Sequence, residues 1–310
     1  MSSTAEHTFA NHESGRLHWW QDGRILALLS ATCFSLKAIF IKLAYAAGPV
    51  DAITLLAMRM GLALPAFILL ARWGGGSTLS RREWFHLFLL GVTGYYLSSL
   101  FDFIGLKYIT AGLERLILFT YPGFVLLADA LIHGKRVRLA TWGALAISYL
   151  GLVLAFWHDL MLVNVSQQVW IGSAWVLASC LTYALYYLGS GVMVKRVGSS
   201  RLAGYAGAFS SGLVLSQFML TRSPAILLDL SLPIWGYAIA MALISTVLPI
   251  WLAARAVARL GAGQTAALGT IGPALTIFFG WIILSEPFSW VQLLGLVLVV
   301  YGISRLQKKS

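Results

Sequence analysis

Apolar stretches long enough to cross a bilayer recur ten times along this chain, and no motif constrains its fold as strongly. They fall at about residues 25–46, 52–72, 85–106, 110–132 and 139–157, and again at 169–193, 202–221, 234–254, 262–284 and 288–305. Spanning the hydrocarbon core takes roughly 20 residues of helix. Inside lipid the backbone has no water to bind, so each stretch must close its own hydrogen bonds as a helix. The separators are short and carry Gly, Pro or charge, as in Ala47-Gly48-Pro49, Gly74-Gly75-Gly76, His133-Gly134-Lys135 and Ser285-Glu286-Pro287. With 59% hydrophobic residues, 11% charged and a mean hydropathy of +0.81, the chain reads as an all-α integral membrane protein with ten transmembrane helices, not as two soluble domains.

The fourth stretch organises the rest. Thr110–Leu131 holds Glu114, Arg115 and Asp129 in an otherwise apolar run, and Pro122 in mid-span frees a carbonyl near Leu118. Such a helix is tolerable only where protein or a wet cavity surrounds it. It also recurs. With Ala111-Gly112 set on Ala262-Gly263, an offset of 151, Pro122 falls on Pro273 without a gap. An offset of 152 pairs Gly143 with Gly295 and Tyr149 with Tyr301, and one of 147 pairs Ala31-x-Cys33 with Ala178-x-Cys180. The expectation is two related five-helix halves, residues 22–157 and 169–305, with a linker at 158–168 and tails at 1–21 and 306–310. An odd number of crossings per half sends the halves into the membrane from opposite sides, an inverted-topology repeat.

Charge distribution sets the orientation. Alternate assignment of the loops gives one side Arg16, Arg24, Arg72, Arg81, Arg82, Lys135, Arg136, Arg138, Lys195, Arg196, Arg201, Arg255, Arg259, Arg305, Lys308 and Lys309, and the other only Lys107 and Arg222. By the positive-inside rule the first side is cytoplasmic, which places both termini inside, with the linker periplasmic, in a cell inner membrane. The excess of 22 basic over 11 acidic residues is therefore topology and implies no nucleic-acid partner. Met1–Gln21 lacks the order of a cleaved signal peptide and ends in an interfacial Trp19-Trp20 anchor. Cys33 and Cys180 sit at equivalent repeat positions inside apolar spans and read as small buried thiols.

The run Phe34-Ser35-Leu36-Lys37-Ala38-Ile39-Phe40-Ile41-Lys42, Arg59 one helix later, then Gly105-Leu106-Lys107-Tyr108-Ile109-Thr110-Ala111-Gly112 and Tyr121-Pro122, resembles the EamA branch of the drug/metabolite transporter superfamily. Ala258-Arg259-Leu260-Gly261-Ala262-Gly263, Gly272-Pro273 and Leu284-Ser285-Glu286-Pro287 are similar to the second EamA domain, so the resemblance covers roughly residues 25–305. It implies a ten-helix carrier whose cargo is left open, since such carriers move amino acids, other metabolites, nucleotide-linked sugars and drugs. Many relatives have Trp-Gly in the first helix where this chain has Phe34-Ser35, with Lys37 just beyond.

Ionisable groups inside a bilayer cost from about 2.5 kcal/mol upward, so each needs a partner or a wet cavity. Lys37 is the deepest, about twelve residues into the first span, on a face with Phe34, Cys33 and Ser30. A contact to a substrate carboxylate or anion is as open as a lysine neutralised by burial or paired with a carboxylate on a neighbouring helix. Tyr95, Ser98, Ser99 and Asp102 form a polar stripe on the third span, and Tyr183 and Tyr186 lie on the polar face of the sixth. The substrate-binding set expected is Lys37, Tyr95, Ser98, Asp102, Tyr121, Tyr183 and Tyr186. Arg59, Lys107, Glu114 and Arg115 are expected to form an ion-pair network closing the periplasmic mouth, with Lys42 snorkelling to the surface on the face opposite Lys37. Pro122 and Pro273 are the expected helix bends.

Neither a P-loop nor an H-E-x-x-H, C-x-x-C or G-x-S-x-G sequence occurs, and the six histidines lie in tails, loops or span edges. ATP-driven chemistry within the chain, the commonest hydrolase sites and a midplane metal therefore lack their parts, and no cofactor is implied. The reading is a secondary transporter of a small amino-acid-like or other polar or amphipathic organic solute, exporting by alternating access, as a monomer or homodimer in contact with lipid. A coupling proton or ion is left open. A membrane-embedded enzyme or a channel is the alternative.

Overall fold

The computed structural model describes residues 22–74, 78–132, 139–162, 166–260 and 262–307. The expected tail at 1–21, much of the loop containing Lys135, Arg136 and Arg138, part of the linker at 158–168, and Lys308 and Lys309 lie outside the described residues. Helices are the regular elements formed among those described. Six helical runs are long and apolar enough to cross a membrane: Gly23–Ala46, Ala52–Trp73, Arg81–Gly105, Ala111–Ala128, Gln167–Val197 and Leu232–Leu260, with shorter apolar helices at Thr141–Ala155, Gly272–Ile283 and Trp290–Arg305.

In chain order the elements are α1 (Gly23–Ala46), α2 (Ala52–Trp73), α3 (Arg81–Leu90), a π turn at Gly91–Leu97, α4 (Ser98–Gly105), α5 (Ala111–Leu118), α6 (Tyr121–Ile132) and α7 (Leu139–Leu162). Then follow α8 (Ser166–Val197), α9 (Ser199–Thr221), a 3-10 turn at Pro224–Leu227, α10 (Leu232–Ala242), a second π turn at Leu243–Val247, α11 (Leu248–Leu260), α12 (Ala262–Gly269), α13 (Gly272–Ile283) and α14 (Trp290–Gln307). The same interruptions thus come twice in the same order: a helix widened by a π turn, then a helix broken in two before a proline.

Local chemistry explains the boundaries. Asp51 caps α2 by accepting from the Ile53 and Thr54 amides, Thr110 caps α5 through the Leu113 amide, and Ser80 with Glu83 forms a capping box on α3. The prolines do not bend continuous helices as expected. The fourth span ends one helix at Leu118 and starts another at Tyr121, so Pro122 occupies the first turn of α6, and Pro273 does the same in α13. There a missing amide proton is harmless. The Leu118 carbonyl that Pro122 leaves free accepts from the Cys180 thiol of α8 at 3.7 Å, and Thr120 Oγ1 lies 3.6 Å from the same sulfur.

The halves interlock. α7 packs along α14 and α2 along α9; α1 packs on α11, α12 and α13, while α8 packs on α4, α5 and α6. Exchanging the halves turns this pattern into itself. The α7–α14 crossing is tight because a Cβ on Gly151 would stand 2.5 Å from the Gly295 carbonyl, and one on Gly295 would stand 2.6 Å from that of Gly151. One apolar cluster includes Ile39, Leu55, Phe67, Phe103 and Phe218, and a second includes Leu113, Leu116, Val176, Ile277 and Val299; each draws on both halves. Outward-facing Trp73, Val192, Leu220 and Trp290 are more than three-quarters exposed, an apolar surface suited to lipid.

Candidate functional site

α1, α4 and α5 converge on a buried triad. Lys37 Nζ lies 2.6 Å from Asp102 Oδ2, a charge-assisted hydrogen bond, and 3.6 Å from Glu114 Oε1, an ion pair beyond hydrogen-bond reach. Asp102 is 1% exposed and Glu114 0%. Sequence reasoning assigned Lys37 and Asp102 to the substrate site and Glu114 to the ion-pair network, with Asp102 and Glu114 both toward the periplasmic side. The structure makes them one cluster, because α1 carries Lys37 within reach of both carboxyl-bearing helices.

The remaining cations do not form the expected ion-pair network. Arg59 donates through Nε to Thr246 Oγ1 at 2.9 Å and through Nη1 to Ser99 Oγ at 3.4 Å, with its guanidinium 5.6 Å from the centre of the Phe103 ring. Arg115 donates through Nε to Thr276 Oγ1 at 3.1 Å and through Nη2 to the Phe34 carbonyl at 2.9 Å. Lys107 stands 5.3 Å from the centre of the Tyr45 ring. Among the described residues only Lys37 pairs with the Asp102 and Glu114 carboxyls. The physical reason is that neighbouring helices bring neutral oxygens and rings within reach of the other cations. Lys42, partly exposed, donates through Nζ to the Ile109 carbonyl at 2.7 Å, at the turn between α4 and α5. Several of these bonds join the halves, as do those from Ser35 Oγ to the Gly272 carbonyl and from the Ala111 amide to Glu286 Oε1.

Seven residues before Asp102 and seven after Glu114, Tyr95 and Tyr121 belong to a box of tyrosines. Tyr121 stacks on Tyr187 at 4.7 Å and meets Tyr183 edge-on at 5.2 Å; Tyr183 stacks on Tyr186 at 5.9 Å, and Tyr95 meets Tyr186 edge-on at 5.6 Å. All four expected tyrosines are therefore together. Tyr187, 39% exposed, was missed, although its i+4 spacing from Tyr183 put it on the same helical face. Gly94, in the first π turn, makes the box feasible: a Cβ there would overlap the Tyr186 ring. Ser98 faces elsewhere. It joins α4 to α8, its Oγ 3.1 Å from Ser179 Oγ, while Ser179 Oγ donates to the Ser98 carbonyl at 2.7 Å. Thr246 and Thr276, which hold the two arginines, carried no sequence signal beyond being polar in apolar spans.

Fold and site together describe a multi-pass membrane protein with ionisable and aromatic groups gathered at its centre, the class to which solute transporters belong. Residues 21–157 and 170–306 each match the EamA-like transporter family. The chain belongs to that family, in the EamA branch of the drug/metabolite transporter superfamily. It is similar to the uncharacterized transporter YcbK of Bacillus subtilis (strain 168), with 32% identity over 285 residues that cover 88% of each chain. It is also similar to the uncharacterized transporter YcxC of the same organism, 23% identical over 296 residues and 90% of each chain. A solved protein crystal structure shares the fold with a TM-score of 0.61 at 17% identity, covering 91% of this chain and 96% of that one.

Proposed function

We propose that this membrane transporter is a secondary carrier that exports a small polar or amphipathic organic solute across the inner membrane. The observation that carries the reading is the buried Lys37–Asp102–Glu114 triad, on the same spans that bring Tyr95 and Tyr121 to the tyrosines of α8, where helices of both halves meet. An inert scaffold has no use for buried charges of that cost. Ten crossings, in two five-helix halves of opposite orientation with both termini cytoplasmic, give the rocking units. Charged groups recognise the polar end of the solute, and tyrosine faces and hydroxyls recognise its organic body. The bonds from Arg59 to Thr246 and from Arg115 to Thr276 link the halves and must part as the site changes sides.

Thermal-shift screening of the purified protein against a metabolite panel tests this, because a ligand that binds only the folded state raises its apparent stability. A hit should lose its effect in Tyr183→Ala and Lys37→Met. A hit whose shift survives both substitutions would place the binding site elsewhere.

A further inference from the structure

Glu114 is fully buried, and neither of its carboxyl oxygens has a hydrogen-bond partner; Asp102 Oδ1, also buried, has none. Lys37 satisfies Asp102 Oδ2 and stands too far from Glu114 Oε1 to bond it. Two ionised carboxylates beside one ammonium would leave three buried acceptor atoms without a donor, an arrangement interiors avoid. Acceptors cannot bond one another. A single proton satisfies two of the three and removes one buried charge: protonated Glu114 is neutral and gains an O–H donor, and the orphaned Asp102 Oδ1 on the adjacent carboxyl is the acceptor it lacks.

The surroundings keep that proton exchangeable. α2 contributes Arg59, and α5 contributes Arg115 beside Glu114. Their hydrogen bonds go to Thr246, Ser99, Thr276 and the Phe34 carbonyl, so neither pins a carboxylate. α1 adds Lys42 and Tyr45, which donate to the Ile109 and Phe103 carbonyls, and Lys107 stands over the Tyr45 ring. α8 presents Cys180, Tyr183 and Tyr187, and α7 presents Tyr149. α13 and α14 present Thr276, Ile277 and Gln292, while Glu286 accepts from the Ala111 amide. No histidine lies among these groups.

We infer that Asp102 and Glu114 together hold one proton, carried on Glu114, and that the transporter moves it in each cycle. This rests on the carrier reading of the same triad. When the cluster opens to water, the Glu114 O–H bond breaks and the proton passes to water, leaving a carboxylate; closure from the other side takes one proton back. The repeat supplies no second copy. At offsets of 147 and 151, Lys37, Asp102 and Glu114 correspond to Ala184, Ala253 and Thr265.

Infrared spectroscopy of the full-length protein in lipid reads the proton without a substrate. At neutral pH the wild type should show a protonated-carboxyl stretch that shifts when glutamate is carbon-13 labelled, persists in Glu286→Gln and is lost in Glu114→Gln. Labelling needs no variant, so a folding defect in Glu114→Gln leaves the wild-type result intact. Absence of the band, a shift with labelled aspartate instead, or survival of the band in Glu114→Gln would overturn the inference. The band with no flux of any solute would refute the carrier reading, and with it the movement of the proton, while leaving the shared proton; flux without the band would refute the proton alone.

Discussion

Replacing Lys37 with methionine should cost about 3–5 kcal/mol of stability, because it removes the one cation in contact with the triad carboxyls and leaves a buried charge uncompensated. The attraction across 2.6 Å is about 6 kcal/mol at an effective dielectric of ~20. Desolvating each ion costs several kcal/mol in return, so the intact pair contributes little net and the penalty comes from stranding Asp102, which is 1% exposed. That origin is separable. Adding Asp102→Asn removes the stranded charge at nearly constant volume, and the double variant should return to within about 1 kcal/mol of the parent. Unfolding monitored by circular dichroism in lipid-like detergent reads both. Helix content should stay unchanged, since each span closes its own backbone bonds, and solute flux should be lost in both. A single variant as stable as the parent, or a double variant no better than the single, would refute the reasoning.

Gly94→Ala should drive a methyl into the Tyr186 ring, destabilise the protein by about 1–3 kcal/mol and abolish the thermal shift given by any ligand of the tyrosine box; an unchanged shift would remove Tyr186 from the site. Asp51→Ala should cost about 1–2 kcal/mol by uncapping α2, with its half-exposed bridge to Arg222 adding little. Burial alone would raise the Asp51 carboxyl, but hydrogen bonds from Thr54 and the Arg222 guanidinium outweigh it and hold it below its ordinary value. A value depressed on folding gives stability that is full above the ordinary carboxylate value of about 4 and is lost as pH falls through the folded one. Acid titration of thermal stability should show this loss in the parent and not in Asp51→Asn. Pro122→Ala and Pro273→Ala restore a backbone donor at each helix break and should slow flux more than they weaken binding, measured side by side; equal flux in both would make the prolines structural only.

The helices and the repeat were legible because apolar length and proline position are local signals: Pro122 and Pro273 fall on each other without a gap. The triad was legible only in parts. Lys37 and Asp102 are 65 residues apart, and each announced itself as a charge in an apolar span, but nothing in the spacing said that α1 would carry Lys37 to Glu114 as well. Arg59 and Arg115 were expected to seek carboxylates, and only packing revealed Thr246 and Thr276 as their partners. The π turns left no mark, since Gly91–Leu97 and Leu243–Val247 contain no proline and a π turn reflects a neighbour's demand on the backbone. Tyr187 was within reach of periodicity and was passed over in favour of the more continuous polar face of α8.

Counterflow in proteoliposomes tests the central claim most directly. A labelled ligand identified by thermal shift should enter vesicles faster when unlabelled ligand is preloaded, should saturate, and should not enter vesicles carrying Lys37→Met/Asp102→Asn. Uptake that rises linearly with concentration and is indifferent to preloading would contradict alternating access and point to a channel.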